Sequence, residues 1–231
     1  MTFCLWCDEE IVYQMYWASL IRGSESQKIC SHCYKQLILI KGKTCNKCFK
    51  PSSKKICNDC KSWHKFFNEN DPLIKNISTY EYNDLMKEMI AKWKYRGDYE
   101  LLNAFSKDIK ATMNTHLQNI LKEYVIVPIP LSEERLHERG FNQSLAIANK
   151  LTDDKHRIQD ILERTHGEKQ SKKSRDQRIF RKNPFKLTKI INKTVILVDD
   201  IYTTGTTLRH AASLLSQSGC PAVYSYTLIR G

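Results

Sequence analysis

Long apolar runs are missing from this chain. The most apolar N-terminal stretch, IVYQMYWASLI at 11–21, has only eleven residues and follows the acidic Asp8, Glu9 and Glu10. A signal peptide carries positive charge ahead of its apolar core, and a spanning helix needs about 20 apolar residues. Neither condition is met, so the chain is expected in the cytoplasm, where thiols stay reduced. Proline and glycine are also scarce, 6 and 8 of 231 residues, which argues against large disordered tracts. Acid is in deficit as well: 25 Asp and Glu face 37 Lys and Arg, a formal charge of +12. That excess suits an anionic partner such as nucleic acid, a nucleotide or acidic lipid. The length accommodates one medium domain plus something small.

Cysteine, by contrast, is abundant and ordered. Eight of the nine cysteines form four Cys-x-x-Cys pairs: Cys4/Cys7, Cys30/Cys33, Cys45/Cys48 and Cys57/Cys60. Such a pair turns two thiolates toward one tetrahedral ion, and two pairs complete a closed four-sulfur shell. Taken in order, they make two structural Zn²⁺ sites, Cys4, Cys7, Cys30, Cys33 and Cys45, Cys48, Cys57, Cys60. Spacing alone leaves open an interleaved arrangement, with the first pair joined to the third. Disulfides do not fit a chain without an export signal, and a redox pair needs one motif beside a βαβ unit, not four. His32 and His64 are not needed to complete either shell. Two loaded sites lower the formal charge from +12 to about +8, still basic.

The middle of the chain reads in two parts. KSWHKFFNENDPLIKNIST (61–79) has the Asn/Asp/Pro content of a connector. After it, Leu85, Met86, Met89, Ile90 and Trp93 recur at helical spacing until Gly97 stops the pattern. The end of that stretch, KWKYRGDYE (92–100), interleaves aromatics with cations. It is a candidate single-strand surface, with Trp93, Tyr95 and Tyr99 stacking bases while Lys92, Lys94 and Arg96 meet phosphates. A charged helix end with aromatics turned inward would carry the same sequence.

From residue 124 the pattern alternates. YVIVPIP (124–130) reads as a strand followed by a helical stretch to about Leu151. TVILVDD (194–200) reads as a buried strand, 206–218 as a helix closed by Gly219, and AVYSYTLI (222–229) as a last strand. This is an α/β pattern, a parallel sheet with helices on its faces, and such sheets bind ligands at the carboxyl ends of their strands. Asp199 and Asp200 stand at one such end, and TTGTT (203–207) opens the next helix. Backbone N–H groups of a tight Thr/Gly turn at a helix N-terminus converge on a phosphate. Two carboxylates beside a phosphate would repel it unless a ribose lies between, its 2′- and 3′-hydroxyls donating to the acids.

VILVDDIYTTGTT (195–207) resembles the phosphoribosyl pyrophosphate (PRPP) signature of type I phosphoribosyltransferases. VPIPLSEERLHERGFNQSLAIA (127–148), RTHGEKQSKKSRDQRIFRKNPF (164–185) and KYRGDYELL (94–102), with the Cys-pair N-terminus, extend the likeness to the ComF family of competence proteins. That resemblance covers nearly the whole chain. It implies a cytoplasmic protein that handles single-stranded DNA during natural transformation, together with a ComFA-type helicase. It makes Asp199 and Asp200 the ribose binders and Thr203, Thr204, Gly205, Thr206 and Thr207 the 5′-phosphate loop. Pro128, Pro130, Arg139 and Gly140 take the place of the pyrophosphate loop, and 164–185 that of the mobile loop. From Arg164 to Lys193, eleven cations face only Glu168 and Asp176. Among them Lys172, Lys173, Arg175 and Arg178 are candidates for a nucleic-acid backbone or a pyrophosphate, since each neutralised phosphate releases counterions.

The chain departs from purine-salvage enzymes, which place an Asp where Thr203 stands, so no general base is visible in the motif. Cys4 belongs to a metal pair and is no glutamine-hydrolysing nucleophile, and nothing arranges a hydrolytic triad. Cys220 is expected as a small core residue. The expected organisation is a zinc module at 1–62, a connector at 63–79 and a phosphoribosyltransferase-like domain at 80–231. The leading expectation is a ComF-type protein acting on single-stranded DNA with a PRPP-type pocket retained. The alternative is an active phosphoribosyltransferase using Mg²⁺-PRPP and a nitrogen nucleophile.

Overall fold

The structure is a computed structural model that describes residues 2–11, 28–118, 123–165 and 183–231. Most of the expected mobile loop, including Lys172, Lys173, Arg175 and Arg178, lies outside the described residues.

In chain order, the described elements begin with the short helix α1 (Ser31–Lys35) and helix α2 (Asn58–Phe66), each opening from the second Cys pair of a Cys4 group. Strand β1 (Lys75–Glu81) and helix α3 (Asp84–Tyr95) follow. A 3-10 segment (Tyr99–Phe105) leads into α4 (Ser106–Met113). Strand β2 (Tyr124–Pro128) precedes α5 (Glu133–Arg139) and α6 (Gln143–Leu151). The small strands β3 (Leu162–Arg164) and β4 (Phe185–Leu187) pair antiparallel. Strand β5 (Thr194–Tyr202), helix α7 (Thr206–Gln217) and strand β6 (Val223–Arg230) close the chain.

Four strands form one parallel sheet in the order β1-β6-β5-β2. The β-branched runs of β2 and β5 are buried, as a parallel sheet covered on both faces requires. Alternate residues serve two cores. Ile126, Ile196, Val198 and Tyr226 pack with α3, α4, α6 and the first Cys4 group. Val125, Val127, Val195, Leu197 and Val223 pack with α7, β3, β4 and the second Cys4 group. The two Cys4 groups therefore lie against opposite faces of one sheet.

The segment read as a connector over 63–79 carries the end of α2 and most of β1. β1 escapes a hydrophobic pattern because much of its buried surface is polar. Asn76 donates to Ser78 (2.8 Å), Ser78 and Thr227 share a hydrogen bond (2.7 Å), and Ser225 donates to Asn76 (2.8 Å). Satisfied in this way, polar groups can sit between strands without the cost of an unpaired donor. The helical stretch expected up to Leu151 is broken in two at Gly140, whose φ of 72° is left-handed. A Cβ there would meet the Tyr99 hydroxyl at 2.8 Å. Asn142 then starts α6, its side chain accepting from the N–H groups of Ser144 (2.9 Å) and Leu145 (3.4 Å).

Candidate functional site

β5 ends in the two carboxylates, and each is fixed by local backbone as well as by distant side chains. Asp199 Oδ1 accepts from the Asp200 N–H (2.9 Å) and from Ser144 Oγ at the start of α6 (3.2 Å). Asp200 Oδ1 accepts from the Ile201 N–H (2.9 Å), while its Oδ2 forms an ion pair with Lys94 Nζ from the last turn of α3. Both partners of that pair are largely buried, at 13% and 14% side-chain exposure. Burial pushes the Lys94 ammonium down to about 8, the Arg139 and Arg135 charges pushing the same way against Asp199. Burial likewise pushes the Asp199 carboxyl up to about 6, opposed by Lys94, Ser144, Arg164 and Arg139. Lys94 thus contacts the acid pair, and Arg139 and Arg164 add positive charge felt at Asp199, an arrangement suited to a ligand carrying both hydroxyls and anionic groups.

The Thr/Gly loop lies immediately beyond. Gly205 has φ 78° and stands as the N-cap of α7, and a Cβ there would overlap the Tyr202 phenol and the Arg209 guanidinium. Only glycine lets the chain turn so close to those side chains. Thr204 and Thr206 hydroxyls share a hydrogen bond (2.8 Å) at the mouth of the twelve-residue α7, whose N-terminal dipole favours an anion. Thr203 is exposed, with Thr204, Thr206 and Thr207 half-buried.

The remaining expected residues divide. Pro128 and Pro130 are buried; the segment between them is held by the Ile129 N–H to Val198 carbonyl bond (2.9 Å), so they position the following loop from within the core. Arg139 reaches the site, donating through Nη1 to Gln143 Oε1 (2.8 Å) and resting on the Tyr95 ring at 5.4 Å. Its Nε and the Gln143 Nε2 are buried donors without a hydrogen-bond acceptor among the described residues.

The candidate single-strand residues separate in the same way. Trp93 is 1% exposed and packs on Phe141, so it belongs to the core and cannot stack a base. Lys94 points at Asp200 rather than outward. Lys92 pairs with Asp98 (3.3 Å) and lies over the Trp6 ring. Tyr95 and Tyr99 remain open, at 67% and 51% exposure, and Arg96 is exposed beside them. Helical spacing separates the inward from the outward set, but the depth at which Lys94 meets Asp200 depends on how α3 crosses the sheet.

The eight paired cysteines gather as two groups in sequence order, Cys4, Cys7, Cys30, Cys33 and Cys45, Cys48, Cys57, Cys60, with the sulfurs of each within 4.8 Å of one another. The interleaved arrangement is thereby excluded. The first knuckle of each group is built alike. Cys4 N–H donates to the Glu9 carbonyl and Asp8 N–H to that of Cys4; Cys45 and Phe49 repeat the pattern with Lys50 and Cys45. The closing residues, Asp8 (φ 60°) and Phe49 (φ 61°), are both left-handed. Backbone N–H groups of Cys33 and Cys57 donate to the sulfurs of Cys30 (3.4 Å) and Cys45 (3.3 Å). Four converging sulfurs with N–H donors aimed at them are the donor set of a structural zinc site. The ninth cysteine, Cys220, is buried and donates to the Lys193 carbonyl (3.1 Å).

The chain is similar to known proteins over most of its length. The family model "Phosphoribosyl transferase domain" matches residues 100–231. The competence protein ComFC of Bacillus subtilis is 39% identical over 231 residues, covering 98% of this chain and 94% of that protein. The chain belongs to the ComFC family of competence proteins. ComFC of Streptococcus pneumoniae is 29% identical over 98% of this chain and 99% of its own. Competence protein F of Haemophilus influenzae is 25% identical over 87% and 96%. A crystal structure of a hypoxanthine phosphoribosyltransferase from Staphylococcus aureus, 19% identical, covers 62% of this chain and 64% of its own with a TM-score of 0.28. Among the described residues no helix is long and apolar enough to cross a membrane.

In a ComFC chain the acid pair and the Thr/Gly loop were legible as a contiguous motif. Ser144 and Gln143 lie inside the Arg-Gly-Phe-Asn-Gln-Ser string, where the helix they open was the available signal. Arg209, Arg230 and Trp63 were not visible as contributors. They reach the loop across 7 to 141 residues of chain, and no short pattern encodes such contacts.

Proposed function

We propose that the pocket at the end of β5 takes a ribose 5-phosphate, PRPP foremost, and that this ComFC protein acts on single-stranded DNA during natural transformation. The observation that carries the pocket is the meeting of Asp199 and Asp200 with Lys94 on one side and the N-terminus of α7 on the other. The carboxylates would accept from the 2′- and 3′-hydroxyls, and Thr203–Thr207 would hold the 5′-phosphate. Arg139 and Lys94 face the side on which a diphosphate would project, with Mg²⁺ entering as the counter-ion of that ligand. Deoxyribose lacks the 2′-hydroxyl that one carboxylate would accept, so DNA is a poor occupant of this pocket. Its surface is instead the exposed Tyr95 and Tyr99 beside Arg96 and Arg139, where bases stack and phosphates are neutralised. Arg139 borders both surfaces. The names of the relatives support the competence setting, in which a ComFA-type helicase and the cytoplasm are the proposed partner and location.

A second reading is favoured by the cations around the acid pair, which suit a departing diphosphate. In it the protein is an active transferase that forms a bond from ribose C1′ to a nitrogen nucleophile as pyrophosphate leaves. Pyrophosphate release from Mg²⁺-PRPP, assayed with bases, ammonia and short single-stranded DNA, decides between the readings, with Asp199→Asn plus Asp200→Asn as the blank. Release above the blank establishes the transferase. No release, with PRPP still raising the melting temperature of the unaltered protein but not of the blank, leaves a binding pocket. No thermal shift with either protein would overturn the pocket itself.

A further inference from the structure

The second Cys4 group is bolted to the back of the Thr/Gly loop. Trp63, on the helix that follows Cys57, donates its indole N–H to the Thr204 carbonyl (2.8 Å). Arg230, at the end of β6 and 4% exposed, uses one guanidinium for both partners. Its Nε donates to the Cys48 carbonyl (3.1 Å) and its Nη2 to the Cys48 sulfur (3.4 Å). Its Nη1 donates to the carbonyls of Tyr202 (3.1 Å) and Thr203 (3.2 Å). The same guanidinium lies over the Tyr202 ring at 4.6 Å. A third tie runs through Arg209, which stacks on Trp63 (4.5 Å), pairs with Asp71 (2.9 Å) and donates to the Tyr202 hydroxyl (2.6 Å). Tyr202 is the side chain against which Gly205 makes its close turn.

A buried guanidinium needs an anionic partner and fixed acceptors. Four thiolates around a Zn²⁺ ion would be net anionic, and an ion bound there would hold the Cys48 sulfur and carbonyl where Arg230 needs them. Among the described residues the first Cys4 group shows no such route; it packs on the opposite sheet face with α3 and α4.

We propose that the second Cys4 site is the support of the Thr203–Thr207 loop, with Trp63 and Arg230 as positioning residues, and that metal there and ribose 5-phosphate in the loop bind with positive coupling. The coupling rests on the pocket reading above; the mechanical support does not. By linkage the effect is reciprocal: metal tightens the ligand, and ligand retains the metal. The test uses the full chain as the zinc-loaded protein, with Cys60→Ser to disable the second site and Cys33→Ser to disable the first. Amide exchange over 202–207 and titration with ribose 5-phosphate are read for each. Expected are faster exchange and at least roughly tenfold weaker binding in Cys60→Ser alone, and slower chelator-driven zinc release from the second site when ribose 5-phosphate is saturating.

Trp63→Phe and Arg230→Lys keep all eight sulfurs and guard against a simple folding defect. Trp63→Phe should retain two zinc ions yet weaken ribose 5-phosphate roughly 3- to 10-fold, the effect of one hydrogen bond. Arg230→Lys, which keeps the charge but not the fork, should lose part of the coupling. Unchanged loop exchange in Cys60→Ser, or unchanged affinity in Trp63→Phe, overturns the proposal. Faster loop exchange in Cys60→Ser, with no binding of ribose 5-phosphate or PRPP by the unaltered protein, overturns the pocket reading and the coupling while the support stands.

Discussion

Lys94 and Asp199 face each other's fields inside one pocket, so their protonation sets when the pocket is correctly charged. Asp199 is raised to about 6 and Lys94 lowered to about 8. Between those values the acid is ionised and the ammonium intact, and a ligand bearing hydroxyls and phosphate should bind best there. Calorimetric titration with ribose 5-phosphate should rise in affinity through pH 6 and fall through pH 8. Lys94→Met should remove the upper limb, while Asp199→Asn should leave in the lower limb only the ligand's own phosphate ionisation, at about pH 6. Stability follows the opposite logic for the acid. A carboxyl whose folded value is raised binds more protons when folded, so stability falls as pH climbs from about 4 to about 6. Asp199→Asn should flatten that fall, on the order of 3 kcal/mol, in urea unfolding across the window. Gly205 is the other decisive residue. Gly205→Ala should cost about 2–4 kcal/mol, from the left-handed backbone and the overlap with Tyr202 and Arg209, and abolish ligand binding. Urea unfolding and the same titration check both effects.

At the scale of elements, the Arg-Gly-Phe-Asn-Gln-Ser string has a mechanical explanation. Gly140 ends α5 in a left-handed turn, Phe141 fills the gap between Trp93 and Tyr99, and Asn142 caps α6. Asn142 also donates to the Ile129 carbonyl (3.1 Å), joining the end of β2 to the helix that holds Ser144 against Asp199. Asn142→Ala should therefore lose about 1–2 kcal/mol in urea unfolding and weaken ribose 5-phosphate as well, whereas Asn142→Ser, which keeps a cap, should recover most of the stability. Elements with strong local codes were readable this way: β2 and β5 from their β-branched runs, α7 from the glycine before it. β1 was not, because its buried face is completed by Thr227 and Ser225 from the far end of the chain.

At the scale of the whole molecule, one parallel sheet is clamped between two Cys4 groups. The first is tied to the core by Tyr34, which with Tyr80 donates to the buried Asp108. The second is tied to the loop by Arg230. The basic surplus acts at this scale too. Single-stranded DNA affinity, measured by fluorescence anisotropy, should fall linearly with the logarithm of salt, with a slope near −0.7 per phosphate neutralised. Tyr95→Ala with Tyr99→Ala should weaken binding by about 1–3 kcal/mol per stacked base without changing that slope. Affinity indifferent to salt, or to both tyrosines, would remove the DNA surface from this face.

The sequence by itself determined the four Cys-x-x-Cys pairs, the alternating α/β order and the acid-plus-Thr/Gly motif. Each is a short-range pattern: two thiols three residues apart, a run of β-branched residues, a glycine at a helix mouth. Tertiary structure decided which pairs come together, since that depends on which knuckles meet in space. It also decided that Lys94 turns to Asp200 while Tyr95 turns to solvent, because α3 is fixed by what it crosses. The support behind the phosphate loop belongs to the same class. Arg230 and Cys48 stand 182 residues apart, and only the folded sheet brings a strand end to a sulfur of the second Cys4 group.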